Sequence, residues 1–302
     1  MHPINQEIQL PVLEEKKVAL YLKREDEIHP LISGNKYRKL KYNLIAAKEN
    51  GLDTLLTYGG AYSNHIAAVA YAGQKEGLRT IGVIRGEELR QNWWDNPTLA
   101  MAREHGMQFT FVSRKRYRHK GDKNFQEELL RQFGLFYAMP EGGTNLLAIK
   151  GCGEILTKAD VDFDVICCAV GTGGTLAGLI NTSKAHQHIL GFPALKGDFL
   201  HEDIRKFALS QNWSLQTAYH FGGYAKVSDN LIEFINFFYR QTGIPLDPVY
   251  TGKMMFGVLA MVENDRFKPG TKILAIHTGG LQGIKGMNKL LTKKGRPLIS
   301  VT

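Results

Sequence analysis

The chain has 302 residues, 43% hydrophobic and 22% charged, as expected of a globular protein with one large or two ordinary domains. No run stays apolar for the roughly 20 residues a membrane span needs. The segment from Met1 to Lys17 mixes Glu, Gln and Lys with no apolar core, so it does not read as a signal peptide and a cytoplasmic location with no membrane partner is expected.

Three cysteines, two of them adjacent in the apolar run Val165–Val170, suit a buried strand in a reducing compartment and argue against a disulfide framework or a zinc site. The net charge is +9, carried largely by Arg114–Lys120 and Lys289–Arg296. A basic run with aromatics can bind nucleic acid, but a solvated surface is the more economical reading, and no nucleic-acid partner is expected.

Strand and helix patterns alternate along the chain. Val18–Leu22 reads as a strand. Tyr37, Leu40, Leu44 and Ile45 keep helical spacing, with Asn35 as N-cap and Gly51 as stop. Thr54–Tyr58 is a strand, followed by a glycine turn and an alanine-rich helix from about His65 to Glu76. Thr80–Ile84 is the next strand, and Asn96-Pro97 opens a helix with proline in its first turn. Gln108–Val112 and Leu135–Ala138 are further strands. Phe163–Val170 leads through Gly171-Thr172-Gly173-Gly174-Thr175 into a helix, and a strand follows near Ile189–Phe192. Helices near Asp229–Gln241 and Gly252–Glu263 precede a last strand at Lys272–Ile276. Strands separated by helix-length segments predict parallel α/β layers.

Four segments at strand-to-helix junctions or loops can carry chemistry, because open α/β sheets bind ligands there. They are Ser33-Gly34-Asn35-Lys36, Gly59-Gly60-Ala61-Tyr62-Ser63-Asn64, Gly171–Thr175 and His277-Thr278-Gly279-Gly280. Backbone N–H groups of Gly171–Thr175 can point at an anion at a helix start. Leu176 replaces the third glycine of a dinucleotide fingerprint, and no Gly-Lys-Ser/Thr follows, so a single phosphate monoester fits better than NAD or ATP. Lys36 opens its predicted helix, where the dipole disfavours a cation and favours the neutral, nucleophilic amine. Taken alone it also reads as a surface lysine, with Lys39 and Lys41 as competitors. Ser63 and Asn64 suit a carboxylate and a phenolic oxygen, or simple capping. His65 has no evident role. Tyr224 and Tyr250 read as core tyrosines, and His277 as a structural hydrogen-bonding residue.

Together and in order, these segments resemble the 1-aminocyclopropane-1-carboxylate (ACC) deaminase and D-cysteine desulfhydrase family. The match takes in Lys23-Arg24-Glu25-Asp26, Ser33–Leu40, Gly59–Asn64, Asp247–Lys253 and His277–Gly280, and so spans roughly Val18 to Gly280. The resemblance implies the α/β, two-lobed tryptophan-synthase β-like fold (fold type II) with parallel-rich sheets. It also implies pyridoxal 5'-phosphate (PLP) as cofactor, a small amino acid as substrate, no metal, and a homodimer. Residues 1–39 plus 140–302 would form the large PLP-binding domain and residues 40–139 the small one.

By position, the resemblance gives Lys36 the Schiff base, Asn64 the phenolic oxygen of the cofactor, and Gly171, Thr172, Gly173, Gly174 and Thr175 its phosphate. Thr251 falls at the pyridine nitrogen. Ser63 faces the substrate and its carboxylate, and Tyr250 lies beside the substrate with Tyr224 as partner. His65 stands where ACC deaminases carry Gln, and the usual proline-containing stretch after Gly280 is missing. ACC deaminases typically place Glu and Leu at the positions of Thr251 and Thr278; desulfhydrases place Ser or Thr, and Thr. A neutral hydroxyl makes a weaker electron sink than a carboxylate-protonated ring, enough to expel a good β-leaving group. The resemblance therefore favours β-elimination from D-cysteine over opening of the ACC ring, with ACC deaminase as the alternative and a nucleic-acid-binding protein as a remote third.

Overall fold

In a computed structural model, residues 3–29, 32, 34–197 and 199–301 are described. Ser33 therefore lies outside the described residues, and the Lys36 motif is followed from Gly34. The first elements are β1 (Asn5–Ile8), α1 (Pro11–Glu15), β2 (Ala19–Lys23) and α2 (Asn35–Glu49). There follow β3 (Thr54–Gly59), α3 (Asn64–Glu76), β4 (Arg79–Arg85), α4 (Pro97–Glu104), β5 (Gln108–Val112), α5 (Arg114–Arg118), α6 (Lys123–Phe133) and β6 (Tyr137–Ala138). Then come α7 (Leu146–Gly153), β7 (Val165–Val170), α8 (Gly174–Thr182), β8 (His188–Pro193), α9 (Phe199–Arg205) and β9 (Trp213–Leu215). The last elements are α10 (Asp229–Thr242), α11 (Thr251–Glu263), β10 (Lys272–Ile276) and α12 (Gly283–Lys293).

These strands form two sheets. One has six strands in the order β1-β2-β10-β7-β8-β9, and the other four in the order β5-β4-β3-β6. Every pairing is parallel except β1 with β2 at one edge. Parallel sheets are covered on both faces, so their central strands read as unbroken apolar runs. In β7 Cys167 and Cys168 are buried free thiols between Ile166 and Ala169, and in β10 Ile273–Ile276 are fully buried. The strands of the smaller sheet all fall between Thr54 and Ala138.

Register places the junctions. Strand β10 lies between β2 and β7, with Ile276 opposite both Lys23 and Cys168. The chain leaving β2, the loop after β10 and the glycine loop after β7 therefore emerge side by side. In the other sheet Gly59 pairs with Ile84, so the Gly60–Ser63 loop leaves beside Arg85.

The Lys23-Arg24-Glu25-Asp26 segment holds this end of the large sheet. Lys23 Nζ donates to Asp160 at 2.9 and 2.7 Å with both side chains buried. Arg24 pairs with Asp26, and Arg38 with Glu25 through two 2.9 Å bonds. Buried charges left unpaired are costly, so these partners fix the path into α2.

Candidate active site

Lys36 is the second residue of α2, whose cap is Gly34 rather than the expected Asn35, because Gly34, at φ +61°, makes the entry turn. A Cβ on Gly34 would fall 2.0 Å from the Thr278 carbonyl oxygen, so only glycine lets these two loops touch. Lys36 Nζ donates to Asn35 Oδ1 at 3.1 Å, and Asn35 Nδ2 donates to Thr175 Oγ1 at 2.8 Å. The lysine is thereby tied to the start of α8. Burial, reinforced by the neighbouring Lys39, pulls the Lys36 amine down to about 7. Lys39 is also held below the ordinary lysine range by burial, but its Nζ is committed to Gly142 O at 2.9 Å and Thr144 Oγ1 at 3.1 Å. Lys41 pairs with Glu154 on the surface. Of the three competing lysines, Lys36 is the one whose amine is both perturbed and bound only to a neighbouring amide.

The Gly171–Gly173 loop opens α8, with Gly173 at φ +80°. A Cβ on Gly173 would meet Ile204 Cγ1 at 2.7 Å, and one on Gly174 would meet Thr144 Oγ1 at 2.7 Å. Successive N–H groups at a helix start suit an anion. The Thr172 hydroxyl meets Thr144 at 2.6 Å. Thr175 is buried, and its hydroxyl oxygen accepts from Asn35, which leaves both its backbone N–H and its hydroxyl proton to donate. Thr144 was not foreseen from the sequence; only its nearness to Lys39 and Thr172 in the fold reveals it.

Ser63 caps α3, its Oγ accepting from Ile66 N at 3.3 Å, which leaves the hydroxyl proton free to donate. Asn64 stands within 3.0 Å of where a Gly280 Cβ would lie, and Asp247 is at 3.3 Å from the same point. Tyr250 packs against Gly171, its ring 3.2 Å from a Cβ placed there. Tyr224 meets it edge-on with ring centroids 6.2 Å apart. Neither is an ordinary core tyrosine: Tyr224 is 42% exposed, and Tyr250 is partly buried at the glycine loop. Burial first, then the Tyr224 phenol, holds the Tyr250 phenol well above its ordinary range.

Thr251 is fully buried at the start of α11 and bonded to Asp247. His65 is buried, and among the described residues both its ring nitrogens lack a hydrogen-bond partner. Burial, then the charges of Lys36 and Lys39, keep its imidazole neutral. Buried unpaired polar atoms are costly and suit a site that a ligand completes. His277 is structural as expected, its Nε2 against Pro245 O at 2.7 Å and its Nδ1 accepting from Gly279 N at 3.2 Å.

The residues expected from the four segments thus converge from the carboxyl ends of β2, β3, β7 and β10, with α11 alongside. An amine near neutrality, a glycine cradle for one phosphate and an unsatisfied imidazole fit PLP, an aldehyde carrying a phosphate monoester. A lysine beside a glycine-rich helix start, on two largely parallel sheets, suits the fold type II class of PLP enzymes.

The family of pyridoxal-phosphate dependent enzymes matches residues 3–279. A Pyrococcus horikoshii protein named "Putative 1-aminocyclopropane-1-carboxylate deaminase" is 34% identical over 283 residues, covering 87% of this chain and 85% of that one. The mitochondrial bifunctional D-cysteine desulfhydrase/1-aminocyclopropane-1-carboxylate deaminase of Arabidopsis thaliana is 30% identical, covering 88% and 73%. The crystal structure of an ACC deaminase homologue superposes with a TM-score of 0.82 at 29% identity, covering 97% of this chain and 94% of that one. The chain belongs to the PLP-dependent enzymes, in the ACC deaminase and D-cysteine desulfhydrase family.

Proposed function

We propose that the chain is a lyase that removes the α-proton of a small amino acid and expels its β-substituent, with D-cysteine as the preferred substrate. Bound at Lys36, PLP supplies an electron sink for the α-carbon. Lys36 Nζ takes the α-proton, favoured by an amine whose pKa lies near working pH. Ser63 donates its free hydroxyl proton to the substrate carboxylate, and Asn64 holds the phenolic oxygen of the cofactor. The N–H groups from Gly171 to Thr175, with the Thr172 hydroxyl, hold the phosphate. Tyr250, backed by Tyr224, lies against the substrate and meets the departing group. Residues 40–139 form the lobe that closes on residues 1–39 plus 140–302 and excludes water. For D-cysteine the balance is one water consumed, with pyruvate, ammonia and hydrogen sulfide produced.

The observation that favours D-cysteine is the Thr251 hydroxyl at the position expected to face the pyridine nitrogen. It is neutral, and Thr278 stands where desulfhydrases of this family also carry Thr. ACC ring opening is the second reading, favoured by the name of the Pyrococcus horikoshii relative, while the Arabidopsis relative is named for both activities. The test is kcat/KM for D-cysteine, L-cysteine and ACC on one preparation. D-cysteine should be turned over most efficiently; turnover of ACC without D-cysteine rejects the choice of substrate.

A further inference from the structure

The small-lobe side of the cleft carries a cation that the proposed chemistry does not use. Arg85 ends β4, and its guanidinium lies over the Tyr117 ring at 5.6 Å from the centroid. One of its nitrogens sits 3.4 Å from where a Gly60 Cβ would lie, so the side chain rests on the loop that leads to Ser63. Among the described residues no carboxylate lies within ion-pairing distance of it, whereas the other cation at this rim, Lys120, pairs with Glu141 at 3.2 Å. Burial raises the Tyr224 phenol, and the Arg85 charge opposes that rise. Arg85 therefore stands exposed at the end of β4, between the Tyr117 ring and the Gly60 loop that leads to Ser63.

Resting on the PLP-enzyme reading above, we propose that Arg85 is a specificity-determining residue that recognises an anionic group on the substrate side chain. The favoured class is amino acids with a negative β-substituent: a thiolate, carboxylate, sulfonate or phosphate. Three features support this. A planar guanidinium presents paired N–H donors that match such anions. The aromatic platform of Tyr117 holds its plane while leaving its donor edge free. The rim charges, Arg85 and Lys120 against Glu141, sum to +1, so the field at the side-chain end of the cleft favours an anion. In β-elimination the C–S bond of D-cysteine breaks and its electron pair leaves with sulfur as hydrosulfide, so the same guanidinium would stabilise the departing charge.

The test compares two isosteres that differ by one charge, aspartate and asparagine, as D and L enantiomers. Their dissociation constants are measured by calorimetry on the PLP-loaded enzyme and on Arg85→Gln and Arg85→Lys. Wild type should bind the aspartate enantiomer that fits at least ten-fold more tightly than its amide. Arg85→Gln should bring the two within two-fold, Arg85→Lys should keep part of the preference, and the visible cofactor band should survive in all three. Equal binding of acid and amide by wild type overturns the proposal, as does an acid preference that persists in Arg85→Gln. If the protein takes up no PLP, the cofactor reading fails separately, and the same comparison on the protein as isolated still decides the role of Arg85.

Discussion

Asp247 and Thr251 close a reciprocal pair at the start of α11: the Thr251 hydroxyl donates to Asp247 Oδ1 at 2.8 Å and accepts from the Asp247 backbone N–H at 2.9 Å. The same carboxylate also accepts from the backbone N–H groups of Val249, Tyr250 and Thr251. The helix that begins at Thr251 is thus capped by a buried carboxylate four residues upstream. Toward a ring nitrogen Thr251 offers an oxygen lone pair, because its proton is already given away.

Replacing Thr251 by Val removes that donor and leaves the buried Asp247 N–H without its acceptor. An unmade buried hydrogen bond costs about 1–3 kcal/mol. Thr251→Val should lower the stability to denaturant by that amount and lower kcat, while Thr251→Ser restores both. Thr251→Glu should not simply convert one activity to the other, because it sets a second carboxylate against Asp247. A fully stable Thr251→Val with unchanged kcat contradicts the role of the pair.

Lys36 and Lys39 differ in what binds them, and that difference can be measured. With an amine at about 7, Lys36 is half neutral at neutral pH, so capture of a carbonyl by the cofactor-free protein should rise with pH and level off above about pH 8. An ordinary lysine would go on gaining toward pH 10. Lys36→Ala should lose the visible band of lysine-bound cofactor, and Lys39→Ala should keep it while losing the ties to Gly142 and Thr144. Reductive trapping of PLP on Lys39 or Lys41 would reverse the assignment.

Gly173 is the position in the glycine loop where a side chain is excluded twice, by φ +80° and by Ile204. Left-handed backbone costs a non-glycine residue roughly 1–2 kcal/mol before any clash. Gly173→Val should weaken PLP binding at least ten-fold, with a folded far-UV spectrum showing that α9 has adjusted. Unchanged PLP affinity would remove the loop from the phosphate site.

The parallel layers were readable because buried strands such as β7 and β10 are short apolar runs ended by glycine or polar turns. The edge strand β1 (Asn5–Ile8) was not foreseen: Gln6 and Glu7 give it no apolar run, and it exists by antiparallel pairing with β2. Strand β9 is three residues long, and α6, α7 and α12 were likewise not foreseen. In α12 the basic residues masked an amphipathic pattern in which Met287 and Leu291 are buried. Lys36, Asn64 and the glycine loop were candidates from the sequence because each sits at a junction. Thr144 could not be one, since its contacts with Lys39 and Thr172 join segments distant in sequence, and the local Asp247 cap was missed because Asp247-Pro248 lay inside a motif read only for Tyr250 and Thr251. His65 stood in plain view beside Asn64, but its lack of partners shows only in three dimensions.

The basic run Arg114–Lys120, expected as a solvated loop, begins as the short helix α5 capped by Ser113. Its charges are largely spoken for: Arg114 pairs with Glu88 at 2.6 Å, Arg116 with Glu128, and Lys120 with Glu141. In the second run Arg296 pairs with Asp229 at 2.7 Å. Phosphate binding needs free cations that release counterions. Random duplex DNA should therefore bind only weakly at 150 mM salt. Tight, salt-sensitive binding abolished by neutralising Arg114–Lys120 would overturn this.

Lys253 extends the role of α11 to the loop that carries Tyr224. Its side chain is buried, and Nζ donates to the carbonyl oxygens of His220 and Gly223, both at 2.8 Å. That loop is conformationally costly: Phe221 and Ala225 have φ of +53° and +56°, and Gly222 and Gly223 are also positive. Non-glycine residues in this region cost of order 1–3 kcal/mol each and persist only where surrounding contacts hold them. The two bonds from Lys253 are such contacts, and they fix the loop just before Tyr224 meets Tyr250. Lys253→Met keeps most of the apolar stem but leaves both carbonyls without their donor. The loop should relax, the edge-on contact between Tyr224 and Tyr250 should be lost, and kcat should fall at least ten-fold with little change in cofactor affinity, since Lys253 contacts neither the glycine loop nor Lys36. Lys253→Arg, which keeps the charge and the donors, should recover part of kcat. Tyr224→Phe in the Lys253→Met background should add little, because the tyrosine is already displaced. If instead the two substitutions multiply in their effect on kcat, Lys253 does not act through Tyr224.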